Sequence, residues 1–266
     1  MSNIISKFYL DAGTTYSKII EVSTDPKINA SNVMLNSFDC FSRQAERAVE
    51  NVQCVQHTTN ERPCDPKTSS GRCNRHYILP SKLLKTLDIQ FEKACGHMTG
   101  DVEHENEIIA LASGCKDKVT ANATILDLGS RDAKWIRFKE GKFSDMDWNT
   151  SCASSTGATV EMLLKFYDVN LDELAFNTQK FPVTCGIFGL EKIMDDISKG
   201  STAQDAISKF IHGIAYNAWS FAKKPEKIYL SGGFCANECF VNSLKSYCEV
   251  ETLGRFVLCE GLIDGN

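Results

Sequence analysis

The chain carries no excess of positive charge. Its 29 Lys and Arg are outnumbered by 34 Asp and Glu, for a net charge of −5. That balance leaves no broad basic field for nucleic acid or for an anionic lipid surface, so neither is expected as a partner. A small acidic ligand would have to be met by local donors. No apolar run approaches the roughly 18 residues of a membrane helix. The opening stretch MSNIISKFYLD lacks the pattern of an export leader, because Lys7 and Asp11 break its short apolar run. The expected compartment is the cytoplasm. Cysteine, in contrast, is abundant, at twelve residues. Disulfide frameworks belong mostly to shorter exported chains, so reduced thiols are expected here, as suits an anaerobic or low-oxygen cell.

With 266 residues, 42% of them hydrophobic and 24% charged, the chain is long enough for one large domain or two smaller ones with real cores. Residues 7–13 and 17–22 predict a hairpin around Gly13-Thr14-Thr15. Residues 33–40 predict a third strand, and Ser42 is placed to cap a helix running to about Gln53. The stretch 54–76 is polar and holds Cys54, Cys64, Cys73, His57 and His76. It reads as an exposed loop or insertion. A zinc site there lacks the close Cys-x-x-Cys pair that such sites use. Residues 103–113 predict a short helix.

From residue 124 the opening order returns: strand 124–128, a Gly-containing turn, then strands 134–138 and 142–146 about Glu140-Gly141. The chain thus reads as two similar halves, with residues 1–120 forming the first and 121–266 the second. Farther on, Val160, Leu163, Leu164 and Tyr167 share one helical face. A second stripe is formed by Ile207, Phe210, Ile211, Ile214, Ala215 and Ala218 within 203–221. Strand 227–231 leads into Gly232-Gly233 and a helix from about Asn237.

Three segments carry candidate chemistry. In LDAGTTYSK, residues 10–18, a glycine lets backbone approach a phosphate while N–H and hydroxyl groups donate to its oxygens. Asp11 can hold Mg²⁺ through water, Gly13, Thr14 and Thr15 can cradle phosphate, and Lys18 adds positive charge. In LDLGSRDAK, residues 126–134, Asp127 takes the place of Asp11, with Gly129, Ser130 and Lys134 following. Two such loops facing one another would clamp a triphosphate and Mg²⁺ between domains. In LSGGFCAN, residues 230–237, Gly232 and Gly233 permit close approach of an adenosine, with Asn237 beside them.

Two cysteines stand apart from the other ten. Cys152 opens CASSTGATVEMLLKFY and Cys185 opens CGIFGLEKIMDDISK, each a predicted helix. A thiolate at a helix N-terminus faces unpaired N–H groups and the positive end of the dipole, which lowers its pKa and suits it to a metal cluster. Two thiolates are half of what one cluster normally takes. A two-fold dimer, each subunit supplying a pair, is the simplest completion. The alternative for either residue is a small buried packing side chain.

Taken together, these segments resemble the two phosphate motifs and the adenosine motif of the actin-like ATPase superfamily. The cysteine segments narrow the resemblance to the BadF/BadG/BcrA/BcrD ATPase family, and within it to activators of 2-hydroxyacyl-CoA dehydratases, the archerases. That family's Cys-Ala-Ala-Gly-Thr-Gly segment reads here as Cys152-Ala153-Ser154-Ser155-Thr156-Gly157. Its Thr-Cys-x-x-Phe setting reads as Thr184-Cys185-Gly186-Ile187-Phe188. The Glu-led segment EIIALASGC at 107–115 is also similar. The resemblance implies an α/β protein with two RNase H-like domains and mixed sheets. It further implies a homodimer, ATP or ADP with Mg²⁺, and one 4Fe-4S cluster bridging the subunits through Cys152 and Cys185. ATP hydrolysis would then drive electrons to a dehydratase or reductase, with a ferredoxin or flavodoxin as donor.

The chain departs from the family pattern in places. Gly129-Ser130-Arg131 stands for Gly-Gly-Gln, Ser155 stands for a glycine, and Leu190-Glu191-Lys192 displaces an acidic pair. Two other readings share the frame. A small-molecule kinase would need a carboxylate base, for which Asp127 and Asp132 are candidates. A nucleotide-binding module without catalysis would bind ADP without turnover.

Overall fold

The computed structural model describes residues 6–23, 53–54, 73–87, 89–97, 101–149, 157–183 and 186–264. They divide into two compact units, one from Met1–Gly114 with Leu258–Asn266 and one from Cys115–Val257.

The first unit is built on a six-stranded sheet. Its strands are β1 (Ser6–Ala12), β2 (Tyr16–Ser23), β3 (Gln53–Cys54), β4 (Cys73–Pro80), β5 (Lys93–Gly96) and β6 (Glu103–His104), in the order β3-β4-β2-β1-β5-β6. The first hairpin forms as its alternation requires, with Asp11 opposite Lys18. Strand β4 pairs antiparallel with β2, and β5 lies parallel to β1 on the other side. Leu10, Ile19, Tyr77, Leu79 and Ala94 form the core of this unit.

Helix α1 (Glu107–Cys115) follows β6. Asn106 caps it, its Oδ1 accepting from the Ile108 N–H at 2.8 Å. That capping satisfies one of the donors a helix start leaves unpaired.

The second unit holds β7 (Ala123–Leu128), β8 (Ala133–Lys139), β9 (Lys142–Asn149), β10 (Lys227–Gly232) and β11 (Glu249–Gly254), in the order β11-β10-β7-β8-β9. The turn between β8 and β9 has φ of 50° at Glu140 and 73° at Gly141, the two left-handed residues of a two-residue hairpin. Between β9 and β10 come α2 (Gly157–Tyr167), α3 (Gly186–Ser198) and α4 (Ala203–Phe221). Parallel strands need such a crossover, because a tight turn can join only antiparallel ones. The stripe on α4 is the spine of the core. Ile207, Phe210, Ile211, Ile214, Ala215 and Ala218 are all buried there, with Val160 and Leu163 of α2 packed in the same cluster. Helix α5 (Glu238–Lys245) then leads to β11, and α6 (Val257–Asp264) ends the described chain.

The two sheets share one topology. Reading outward, β4-β2-β1-β5-β6 matches β9-β8-β7-β10-β11: three antiparallel strands, then two added in parallel. The repeat legible in the sequence is therefore a repeat of architecture.

Three local expectations are corrected. Residues 73–76 are not loop but the start of β4, and His76 is buried in the sheet. Tyr77, Ile78 and Leu79 are consecutive and follow the polar Asn74-Arg75-His76, so the strand shows no alternating period. The helix expected from 103 begins at Glu107, because Glu103–His104 pairs with β5 as β6. Gln53, expected to end a helix, pairs with Ile78 as part of β3. The strand expected at 33–40 and most of the helix expected from Ser42 lie outside the described residues. Leu258–Asn266 group with the first unit, beyond the single boundary expected at 120. There the Cys259 thiol donates to the Lys18 carbonyl at 3.2 Å, and Gly261 packs on the α1 backbone at Ala110.

Candidate functional site: two carboxylate–lysine turns

Each unit presents a buried aspartate at the second-to-last position of its first strand, facing a lysine seven residues on. In the first unit Lys18 Nζ donates to Asp11 Oδ2 at 2.7 Å, the two side chains being 15% and 7% exposed. The pair is fixed by register, because Asp11 and Lys18 are direct cross-strand neighbours. The turn between them is tight. A Cβ at Gly13 would stand 2.3 Å from the Tyr16 carbonyl oxygen, so no side chain fits. Thr14 is exposed and Thr15 half-buried.

A residue missed in the sequence buttresses this turn. Ser81 Oγ donates to the Gly13 carbonyl at 2.6 Å, Ser81 N–H donates to the Thr15 carbonyl at 2.9 Å, and Ser17 Oγ lies 2.8 Å from Ser81 Oγ. No local pattern marks a serine 68 positions away from the glycine it holds.

Two thiols lie near Asp11. Cys95 is its parallel-strand neighbour, with Sγ 4.0 Å from Asp11 Oδ1. Burial first, and then the negative Asp11, push both Cys95 and Cys259 well above the usual thiol range. Both are neutral S–H groups at physiological pH, not thiolate ligands.

The second turn repeats the plan with different partners. Asp127 and Lys134 are again cross-strand neighbours. Here Lys134 is 1% exposed. Its Nζ lies 3.4 Å from Asp127 Oδ2 but 2.8 Å from Asp132 Oδ2. Trp148 Nε1 donates to the same Asp132 oxygen at 2.9 Å, and the ammonium sits 5.3 Å from the Trp148 ring centroid. Gly129 N–H donates to the Asp132 carbonyl at 3.0 Å, and Ala158 N–H at the start of α2 donates to the Ser130 carbonyl at 3.0 Å. The loop is thereby pinned from both ends. Lys134 is enclosed within it, whereas Lys18 is the more open of the two lysines.

The third segment serves Asp127 directly. Ser231, on the parallel strand β10, donates from Oγ to Asp127 Oδ1 at 2.7 Å. Gly232 follows at φ 92°, and Gly96 follows Cys95 at φ 93° in the first unit. A Cβ at Gly232 would stand 2.5 Å from the Leu128 carbonyl oxygen, and one at Gly96 would stand 2.4 Å from that of Ala12. Both the conformation and the space exclude other residues. Gly233 is exposed. Asn237 is buried and caps α5, its Oδ1 accepting from the Phe240 N–H at 2.9 Å.

Cys152 and Cys185 lie outside the described residues. The helices that follow them are described, and both carry large apolar side chains facing solvent. Met162 and Phe166 on α2 are 51% and 66% exposed, and Phe188 and Met194 on α3 are 57% and 49% exposed. The segment leading to Cys185 is strapped along α4. His212 Nδ1 lies 2.7 Å from the Asn177 carbonyl, Phe181 N–H donates to the Lys209 carbonyl at 3.1 Å, and Asn217 Nδ2 donates to the Val183 carbonyl. The phenol of Tyr247 completes this strap, 2.7 Å from His212 Nε2. With Nδ1 donating to a carbonyl, Nε2 accepts from Tyr247.

Among the described residues no group of three or more His, Cys, Asp and Glu is placed to hold a metal. The cysteines at 95, 115, 235, 239, 248 and 259 form no disulfides. Four of them donate to backbone carbonyls: Cys235 to Leu230, Cys239 to Ala175, Cys248 to Leu244 and Cys259 to Lys18. They are packing residues. No helix of the described residues is long and apolar enough to cross a membrane.

This duplicated sheet, with a carboxylate–lysine turn in each copy, is the actin-like ATPase fold: two RNase H-like α/β units on mixed sheets. The activator of 2-hydroxyisocaproyl-CoA dehydratase from Clostridium difficile with bound ADPNP has the same fold. It matches with a TM-score of 0.65 and 16% identity, over 97% of this chain and 92% of its own. The sequence profile of the BadF/BadG/BcrA/BcrD ATPase family matches residues 86–258, and the chain belongs to that family. Two similar proteins are the activator of lactoyl-CoA dehydratase from Anaerotignum propionicum and the (R)-2-hydroxyglutaryl-CoA dehydratase activating ATPase from Acidaminococcus fermentans. The first is 25% identical over 184 residues, 64% of this chain and 71% of that protein. The second is 22% identical over 174 residues, 60% of this chain and 67% of that protein.

Proposed function

We propose that the chain is the ATP-dependent electron-transfer activator of a dehydratase or reductase. The observation that carries the ATPase half is the matched pair of Asp–Lys turns, Asp11–Lys18 and Asp127–Lys134. The carboxylates suit a hard cation such as Mg²⁺, which keeps most of its waters and takes one or two carboxylates plus phosphate oxygens. Lys18, Gly13, Thr14 and Thr15 take phosphate from the first turn. Gly129 and Ser130 take it from the second, where Lys134 balances Asp127 and Asp132 and so holds the loop in shape. Gly232, Gly233 and Asn237 border the adenosine.

The electron-transfer half rests on Cys152 and Cys185. The thiols at 95, 115, 235, 239, 248 and 259 form no metal-holding group among the described residues. Among the remaining six cysteines, Cys152 and Cys185 are favoured because each leads into a described helix. Two thiolates per chain call for a second copy to complete four. The apolar side chains on α2 and α3 fit a face that such a copy would cover. A 4Fe-4S centre held there would supply single electrons at low potential. The similar proteins named above are activators of acyl-CoA dehydratases, which supports a partner of that kind, with a ferredoxin or flavodoxin as donor and the cytoplasm of an anaerobe as setting. The kinase reading is weaker, because Asp132 already accepts from Lys134 and Trp148 and is poorly placed as a base.

The test is anaerobic reconstitution with iron and sulfide, followed by visible spectroscopy and ATP turnover with a one-electron acceptor dye. A broad iron–sulfur absorption and dye reduction that requires ATP support the proposal. A colourless protein that turns over ATP only when a sugar is added favours the kinase.

A further inference from the structure

We infer that Ser231 is the positioning residue for the Asp127 carboxylate, which in the proposal above serves the Mg²⁺–nucleotide. The two units place matching neighbours on the strands beside their aspartates. In each, a lysine stands across the antiparallel pair, and a glycine at φ near +92° follows the parallel neighbour. The parallel neighbour itself differs, being Cys95 in the first unit and Ser231 in the second. At 4.0 Å the thiol is a weak contact to Asp11. At 2.7 Å the hydroxyl makes a short hydrogen bond to Asp127.

The lysines compensate in the opposite sense. Lys18 is 2.7 Å from Asp11, but Lys134 is 3.4 Å from Asp127 and nearer to Asp132. Asp11 is therefore held by its lysine and Asp127 by its serine. Ser231 is fully buried, and the space that Gly232 leaves open lies against the same Asp127 oxygen. The Ser231-Gly232 dipeptide thus forms a fitted seat for Oδ1. It leaves the Oδ2 edge turned toward Lys134 and the loop.

A carboxylate that loses its donor is free to adopt other rotamers. Nucleotide binding, shared among many groups, is then less affected than the step that needs the carboxylate in register. Ser231→Ala is expected to lower kcat for ATP hydrolysis roughly tenfold to a hundredfold, the range for a hydrogen bond to a charged group. The Kd for ADP should stay within about threefold. Ser231→Thr, which keeps the hydroxyl, should retain kcat within about threefold, and so should Cys95→Ala, the matching position in the first unit. Thermal unfolding verifies that each variant is folded.

Equal losses in Ser231→Ala and Cys95→Ala, or in Ser231→Ala and a folded Ser231→Thr, would overturn the inference. So would a fall in ADP affinity parallel to the fall in kcat. Asp127→Asn separates the two levels. If it abolishes turnover while Ser231→Ala changes nothing, only the positioning role fails. If Asp127→Asn turns over normally, or the wild type does not hydrolyse ATP, the underlying reading fails with it.

Discussion

Replacing Lys134 with methionine tests whether the second turn is held together by charge. The side chain is 1% exposed and its ammonium stands between two carboxylates, 2.8 Å from Asp132 and 3.4 Å from Asp127. Methionine fills most of the volume but removes the cation that the two neighbouring acids share. Breaking a buried ion pair from one side costs about 3–5 kcal/mol, because the surviving charge stays desolvated. Ser231 and Trp148 still donate to the two carboxylates, so the lower end, about 3 kcal/mol, is expected. Adding Asp127→Asn removes one of the two stranded charges and should recover about 1–2 kcal/mol. The comparison is Lys18→Met. Lys18 is more open, at 15% exposure, so its loss should cost less stability and more nucleotide affinity. Urea unfolding of the single and double variants supplies the stability change, and calorimetric titration with ADP supplies the affinity. A Lys134→Met cost below about 1 kcal/mol, or no recovery in the double variant, would refute the argument that this lysine is an internal counter-ion.

Three further outcomes are expected. Gly232→Ala should destabilise by more than about 2 kcal/mol in thermal unfolding, because its positive φ and the Leu128 carbonyl both oppose a Cβ; an unchanged Tm would contradict this. Tyr247→Phe leaves His212 Nε2 without its donor, so about 1–3 kcal/mol should be lost, and hydrogen exchange should quicken at the Phe181 amide; unaltered exchange there would show that the strap does not depend on this bond. Cys115 is buried, and burial pushes its thiol up to about 12 from 9.0. The neutral thiol is favoured in the folded state, so its contribution is complete below pH 9 and is lost as pH rises toward 12. In alkaline unfolding titrations Cys115→Ala should lose less stability across that window than the wild type.

The parts of the fold that show in the sequence are those whose partners lie close along the chain. The Asp11–Lys18 and Asp127–Lys134 pairs are seven residues apart and meet across a single hairpin, so spacing alone places them. The stripe on α4 is long enough to define a period, and Asn237 before α5 is a recognisable cap. What is hidden depends on parallel pairing or on distant contacts. Ser231 reaches Asp127 only because β10 lies beside β7, 104 positions away in the chain. Ser81 supports the first turn from beyond β4, whose polar start conceals the strand. The sequestration of Lys134 needs Trp148 on β9 to close over Asp132, which no local pattern conveys. Helix α6 is short and contains a glycine, so it leaves little periodic signal before it returns to the first unit.

The central claim is that two cysteines from each of two chains share one iron–sulfur centre. Iron content measured together with sedimentation, on protein reconstituted without oxygen, tests it directly. The account predicts a dimer with about four irons per two chains, and loss of all of them on Cys152→Ser or Cys185→Ser. A monomer that binds no iron, or a dimer whose iron survives both substitutions, would contradict it.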